Sequence, residues 1–179
     1  MSFDSQPTLK GPLLHLRPLL PSDHDVLFAV ASDALIWEQH PDKTRSTPDG
    51  FRTFFQGALD SGGALLITRA DTGEVIGSSR YHGYNEAASE VEIGWTFLAR
   101  TYWGGVYNGE LKRLMLDHAF QYVNSVVFLI GPNNIRSQRG TMKTGAIRDG
   151  SRVNERGEES FAYRLTKSEW KRGGLRQRS

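Results

Sequence analysis

The stretch Leu98-Ala99-Arg100-Thr101-Tyr102-Trp103-Gly104-Gly105-Val106-Tyr107-Asn108 decides the fold. A strand pattern, Ser89 to Ala99, runs into it and a glycine pair breaks it. A helical pattern leaves it, with Leu111, Leu114, Met115, His118, Ala119 and Tyr122 along one face. The first N–H groups of a helix have no partner inside the helix, and the helix dipole adds partial positive charge there. Glycine lets such a backbone come close to a phosphate. The segment supports two readings on its own: an anion cradle whose natural guest is a pyrophosphate, or a plain tight turn from strand to helix. It is not a P-loop, since no Gly-Lys-Ser/Thr follows, and it lacks the G-x-G-x-x-G of a dinucleotide-binding turn.

Upstream of it, Ala64 to Arg69 and Glu74 to Tyr84 read as a hairpin around Asp71-Thr72-Gly73, and Asn85 to Ala88 turns the chain into the third long strand. Earlier still, Leu13 to Arg17 reads as a first strand ended by Pro18 to Pro21. Ser22 or Asp23 caps a helix to about Ser32, Leu35 to His40 adds a helical turn, and Pro41 to Ser46 is a loop. Thr47-Pro48-Asp49 starts a helix that carries Phe51, Phe54, Phe55 and Leu59, and Ser61-Gly62-Gly63 stops it. Downstream, Val126 to Ile130 has the continuous apolar run of a strand buried on both faces. Asn133-Asn134 opens a helix to about Thr144, and Gly145 to Val153 and Ser160 to Thr166 read as a last hairpin. The order β-α-α-β-β-β-α-β-α-β-β predicts an α/β fold, a mixed central sheet with helices on both faces. Residues 1–10 and 172–179 read as loose tails of one domain spanning 1–179.

With 38% hydrophobic and 23% charged residues, the 179-residue chain can bury a core. Twenty-two Lys and Arg against 20 Asp and Glu leave a net charge of +2, too small to indicate a nucleic-acid partner. The absence of cysteine removes disulfides, a thiolate nucleophile and Cys-type metal sites, and suits a cytoplasmic location. The first residues lack a signal-peptide pattern, and no apolar run approaches the ~20 residues that span a bilayer. His15, His24 and His40 have no partner at ligand spacing, so no metal site is expected. His118 falls on the apolar face of the long helix, as a hydrogen-bonded core histidine would, and His82 sits on the central hairpin.

Three segments carry a resemblance. Val91-Glu92-Ile93-Gly94-Trp95-Thr96-Phe97-Leu98 leads to Tyr102-Trp103-Gly104-Gly105-Val106-Tyr107-Asn108-Gly109-Glu110. Gly131-Pro132-Asn133-Asn134-Ile135-Arg136-Ser137-Gln138 precedes Lys143-Thr144-Gly145-Ala146, and Leu16-Arg17-Pro18-Leu19 and Glu169-Trp170 stand near the two ends. In this order, over nearly the whole chain, they resemble the GNAT N-acetyltransferase superfamily, most closely the branch similar to enzymes that acetylate ribosomal-protein N-termini. One departure stands out. The family signature is Arg/Gln-x-x-Gly-x-Gly/Ala, and alignment on Trp103 puts Val106 at its central Gly and Asn108 at its last position.

The resemblance implies acetyl-CoA as co-substrate, held between two parallel strands that splay apart, here Ser89–Ala99 and Val126–Ile130. It implies that the pantetheine arm pairs with backbone near Phe97 and Leu98. The N–H groups of Trp103, Gly104, Gly105, Val106, Tyr107 and Asn108 would hold the pyrophosphate. Asn134 would bond the cofactor arm, and Arg136 and Arg139 would reach its phosphates. Glu92 is the expected base, with Glu90 on the same strand face as a second carboxylate, and Ser137 the expected proton donor. Either carboxylate has an alternative as a solvated sheet charge, and Ser137 as a cap. Glu158 and Glu159 precede the last strand near the acceptor side. Of the early aromatic rings Trp37, Phe51, Phe54 and Phe55, Trp37 is expected to touch substrate. The acceptor would be a primary amine, either a protein N-terminus or a small amine, and a homodimer follows the family habit. Two alternatives stand beside this: an acyl-CoA-binding or interaction module without transfer, and a nucleic-acid contact through the basic segment Lys171 to Arg178.

Overall fold

The alternation of side chains along the central strands sorts the apolar residues into two cores. Leu65 and Ile67 join one of them, while their neighbours Ala64 and Leu66 join the other. A sheet must therefore be covered on both faces. The computed structural model describes residues 2–154 and 157–177. It has strands β1 (Leu9–Lys10), β2 (Leu14–Pro18), β3 (Ala64–Arg69), β4 (Val75–Asn85), β5 (Glu90–Leu98), β6 (Ser125–Ile130), β7 (Ile147–Val153) and β8 (Glu159–Thr166). They form one sheet in the order β1-β2-β3-β4-β5-β6-β8-β7. Every neighbouring pair is antiparallel except β5 with β6.

Helix α3 (Val106–Ala119) buries Leu111, Leu114 and Met115 in the first core, against Tyr81, Val91 and Val126. Helices α1 (His24–Ala31) and α2 (Pro48–Ser61) cover the other face with Leu27, Phe51, Phe54 and Phe55. The start of α2 follows its sequence: Thr47 accepts from the N–H of Gly50, and Pro48 occupies the first turn, where its missing N–H costs nothing. Helix α4 (Ile135–Met142) follows β6.

Both expected tails are corrected. Phe3 packs on Tyr81 and Tyr84, and Leu9–Lys10 pairs with β2. His118 is buried and donates from Nε2 to the Asp4 carbonyl at 2.7 Å, so the core histidine tethers the N-terminal segment. At the other end, residues from Lys167 to Gln177 form helix α5. Its start is a reciprocal capping box: the Thr166 N–H donates to Glu169, and the Glu169 N–H donates to the Thr166 hydroxyl. Arg178 and Ser179 lie outside the described residues. The Pro41–Ser46 loop contains a short 3₁₀ turn, Lys43–Ser46.

One buried carboxylate ties α3 to the entry of β2. Glu110 accepts from the N–H groups of Leu13 and Leu14, both at 2.7 Å. Replacing Glu110 with Ala strands those amides, and unmet buried donors cost about 1–3 kcal/mol each. We expect E110A to lose about 2–3 kcal/mol, read as a lower urea midpoint with an unchanged slope.

Candidate active site

The parallel pair is short. β5 and β6 are in register only at Glu90↔Ser125, Val91↔Val126 and Glu92↔Val127. β5 then continues to Leu98 with β4 alone, while β6 continues to Ile130 with β8 alone. The edges of Ile93–Leu98 and Phe128–Ile130 therefore face a gap. The gap opens into a cleft of about 2350 Å³, walled by both strand ends, the start of α3, α4 and the 36–45 segment. That volume exceeds the roughly 300–1,000 Å³ of a single small-molecule pocket, so the cleft has room for two substrates.

A bulge shapes the gap. Ser78 pairs with Phe97 but Arg80 pairs with Gly94, so β5 carries one extra residue at Trp95–Thr96. Trp95 takes φ 52°, a left-handed conformation that non-glycine residues rarely hold and that clusters at functional sites. The bulge inverts the alternation. Before it Val91 and Ile93 face the α3 core; after it Leu98 does, and Phe97 joins the opposite core. The Phe97 carbonyl points at β4, since a Cβ on Gly77 would lie 2.0 Å from it. Alternation then turns the backbone of Leu98 to the gap, where its carbonyl accepts from the Trp103 indole at 2.8 Å and its N–H faces the cleft. Phe97 and Leu98 thus both stand at the gap, with the free donor on Leu98.

Gly104 sits at φ 69°, the one place in this loop where glycine is needed. Gly105 is extended and caps α3 without a side-chain bond. The N–H groups of Val106, Tyr107 and Asn108 find no acceptor among the described residues. Val106 is the first helical residue and 66% exposed, so a valine fits where the family signature has glycine. The Asn108 amide lies against Gly140 of α4, 3.4 Å from where a Cβ would stand. The Tyr107 ring turns from the cleft to Tyr102, so only its N–H belongs to the loop site. Exposed Arg139 and Lys143 stand at the rim. An uncapped, positive helix start, two rim cations and an open strand edge are the donor set that a diphosphate with a peptide-like arm requires, so these residues fit acetyl-CoA.

The α4 side differs from expectation. Asn134 is buried and caps α4 by accepting from the Ser137 N–H at 3.3 Å, which leaves its amide N–H₂ for a ligand. The Ser137 hydroxyl lines the cleft and has no partner among the described residues. Arg136 is engaged within the protein. Its N–H donates to Gln39, its guanidinium donates to the Ile36 carbonyl at 3.1 Å, and it stacks 3.7 Å from the Trp103 ring. It straps the 36–39 segment to the cofactor loop, and Arg139 remains the arginine of α4 open to the cleft.

The two carboxylates of β5 separate in role. Burial would raise the Glu90 carboxyl, but bonds from Arg164 and Arg152 outweigh it and hold it below the ordinary range. Glu90 also accepts from Ser125, so it clamps β5 to β6, β8 and β7 and is removed as a base. Glu92 makes no hydrogen bond or ion pair among the described residues. Burial pushes it up to about 7, against the opposing pull of Arg152 and Arg80. Its Oε1 fills the space of a missing side chain at Gly94, 3.1 Å from where that Cβ would be. Gly94 lines the cleft wall, and Glu92, which is not among the lining residues, adjoins the wall through this contact.

Sequence reading missed the cations here. Arg80, on β4 and 6% exposed, lies 4.4 Å from the Trp95 ring and 5.7 Å from Phe54. Arg45 lies 4.7 Å from the same Phe54 ring, and its charge acts on Arg80. Lys112 of α3 is buried over Phe128 at 5.0 Å, and burial lowers it to about 8. Burial and the Arg45 charge bring His40 down to about 4, so it is neutral at pH 7. His82 is exposed and packs edge-on to Trp95. Trp37 is core, with its indole held by the Ala31 carbonyl, yet its edge reaches the cleft, as do Glu158 and Glu159. No group of metal-binding side chains and no helix long and apolar enough to cross a membrane occurs among the described residues.

A family model described as an acetyltransferase (GNAT) domain matches residues 14–147. No curated protein matches the chain. Among solved structures, a GCN5-related N-acetyltransferase from Brucella melitensis superposes with TM-score 0.80 at 18% identity, over 93% of this chain and 81% of that one. Mycobacterium smegmatis RimJ in complex with CoA-disulfide gives 0.72 at 18%, over 94% and 91%. A GNAT-family acetyltransferase from Bacillus anthracis gives 0.71 at 17%, over 90% and 99%. At these identities the likeness is one of fold.

Proposed function

The chain belongs to the acetyltransferase (GNAT) family, whose co-substrate is acetyl-CoA, and on that footing we propose that it acetylates a primary amine by direct transfer. The observation that carries this reading is the parting of β5 and β6 after Glu92 and Val127, beside an uncapped helix start. When bound, acetyl-CoA supplies an activated thioester whose thiol leaves as the amine adds. The Leu98 N–H holds the arm, and the N–H groups from Gly104 to Asn108 hold the phosphates. Glu92 takes the ammonium proton through one water, since an amine must be neutral to attack. A carboxylate poised near 7 is suited to accept that proton at neutral pH. The Ser137 hydroxyl donates to the departing sulfur.

The test is a thiol-release assay with acetyl-CoA and a panel of peptides with free N-termini, small diamines and amino acids. Release above the rate of acetyl-CoA hydrolysis, with acetylated amine found by mass spectrometry, is the expected result. Binding of CoA without release for any amine would point to an acyl-CoA-binding module.

A further inference from the structure

Arg80 is the most unusual group of the cleft. It stands on the inner strand β4, almost wholly buried, with its Nε shielded from solvent and without a hydrogen-bond partner. No ion pair reaches it among the described residues. A buried Nε–H left in this state costs free energy, because it has lost water and gained no acceptor. The aromatic neighbours do not repair this. The cation stands 4.4 Å from the Trp95 ring and 5.7 Å from that of Phe54, and rings do not replace a carboxylate or carbonyl acceptor for its N–H groups. Arg45 lies over the same Phe54 ring and adds a second cation beside Arg80. Its Nε is also buried without a hydrogen bond, but an ion pair at 3.5 Å joins it to Asp42 and its guanidinium meets His40 Nε2 at 3.4 Å, so Arg80 is the unpaired one of the two.

Among the described residues Glu92 is the carboxylate whose charge offsets Arg80, yet the two form no ion pair. Arg80 pairs with Gly94 and His82 pairs with Glu92, so Arg80 and Glu92 share a sheet face as diagonal neighbours. The backbones of such neighbours stand roughly 7–8 Å apart, within reach of a direct bridge between long side chains. A salt bridge there would give Arg80 a structural role, and none forms.

We propose that the amine acceptor carries a carboxylate, as a free amino acid does, and that Arg80, reinforced by Arg45, binds that carboxylate while the amine faces Glu92. A guanidinium carries its N–H groups in a planar fork that matches a carboxylate. The acceptor's negative group meets the buried cations and its ammonium meets the carboxylate, so both ends of a zwitterion are recognised. This rests on the acetyl-transfer reading above. A peptide N-terminus, whose neighbouring carbonyl is an uncharged amide, leaves Arg80 unmatched.

Free amino acids and their amides, compared on the native protein by thiol release, give the test. The carboxylates are expected to exceed the amides in kcat/KM by at least about 30-fold, the loss typical of one partner of a buried charge pair. Arg80→Gln is expected to remove that advantage, so that the variant uses the acids and their amides within about threefold of each other. Amides or peptides used as well as free acids by the native protein would overturn the proposal, and that comparison does not depend on the variant folding. If no amine is acetylated although CoA binds, the transfer reading fails, and calorimetry with CoA present decides this one. Binding of free acids but not amides by the native protein sustains it, and binding of neither overturns it.

Discussion

Glu92→Gln lowers kcat/KM for acetyl transfer by about 100-fold or more and removes the pH limb near 7. The expected size is that of a lost general base. The sign follows from which form acts. Below about 7 the native carboxyl holds its proton and cannot accept another, so activity rises with pH through that value and then levels. In the variant the Glu92 limb near 7 is gone, and any remaining rise sits higher, at the pKa of the amine used or of Lys112 at about 8. Stability moves the other way. Glu92 binds its proton more tightly folded than unfolded, so its contribution falls as pH rises from the ordinary carboxylate range to about 7. Above that the buried charge is a cost, and Gln removes it, for a gain on the order of 2 kcal/mol at pH 8. An inactive variant that is at least as stable as the native protein cannot be explained by unfolding. Glu90→Gln, by contrast, should keep the pH limb, because Glu90 is committed to Arg152 and Arg164.

Val106→Pro weakens CoA binding by about 10-fold or more and leaves the fold intact. The Val106 N–H is the first of α3 and makes no bond within the protein. Proline fits this first helical position with its fixed φ, and the residue before it must then be extended, as Gly105 already is at φ −143° and ψ −155°. The variant thus deletes one donor from the phosphate cradle and disturbs little else. A hydrogen bond to a charged group contributes about 1.5–3 kcal/mol, so the loss in affinity is at least about tenfold. Calorimetry with CoA reads the affinity, and thermal melting without ligand reads the fold. An unchanged affinity would remove the first turn of α3 from the phosphate site.

Much of this architecture is legible in the sequence, because it is written in local period and punctuation. The β3–β4 hairpin, the Thr47-Pro48 start of α2 and the glycine break before α3 are all local signals. α5 is local too: Thr166-Lys167-Ser168-Glu169 is a capping box, hidden by the glycines and basic residues after it. β1 is only two residues long, and what anchors its segment is the packing of Phe3 on residues far along the chain.

The site is less legible because its distinctions are tertiary. Glu90 and Glu92 are equivalent by period two, and only arginines more than fifty residues away assign one to structure. Arg136 and Arg139 look alike on one helix turn until Ile36 and Trp103 engage the first. The bulge at Trp95 inverts the inward pattern of β5 without any glycine or proline at the residue that takes the positive φ. Arg80 reads as an ordinary strand residue, and only the closure of Phe54 and Trp95 around it makes it a buried cation.

Calorimetric titration of the native protein with acetyl-CoA, CoA and ATP tests the central claim, a splayed strand gap ending in a phosphate cradle, most directly. The structure predicts saturable binding of both CoA species with a Kd on the order of micromolar and no measurable binding of ATP, which has the phosphates but no arm for the β5 edge. Absence of CoA binding, or ATP binding as tightly as CoA, would contradict it.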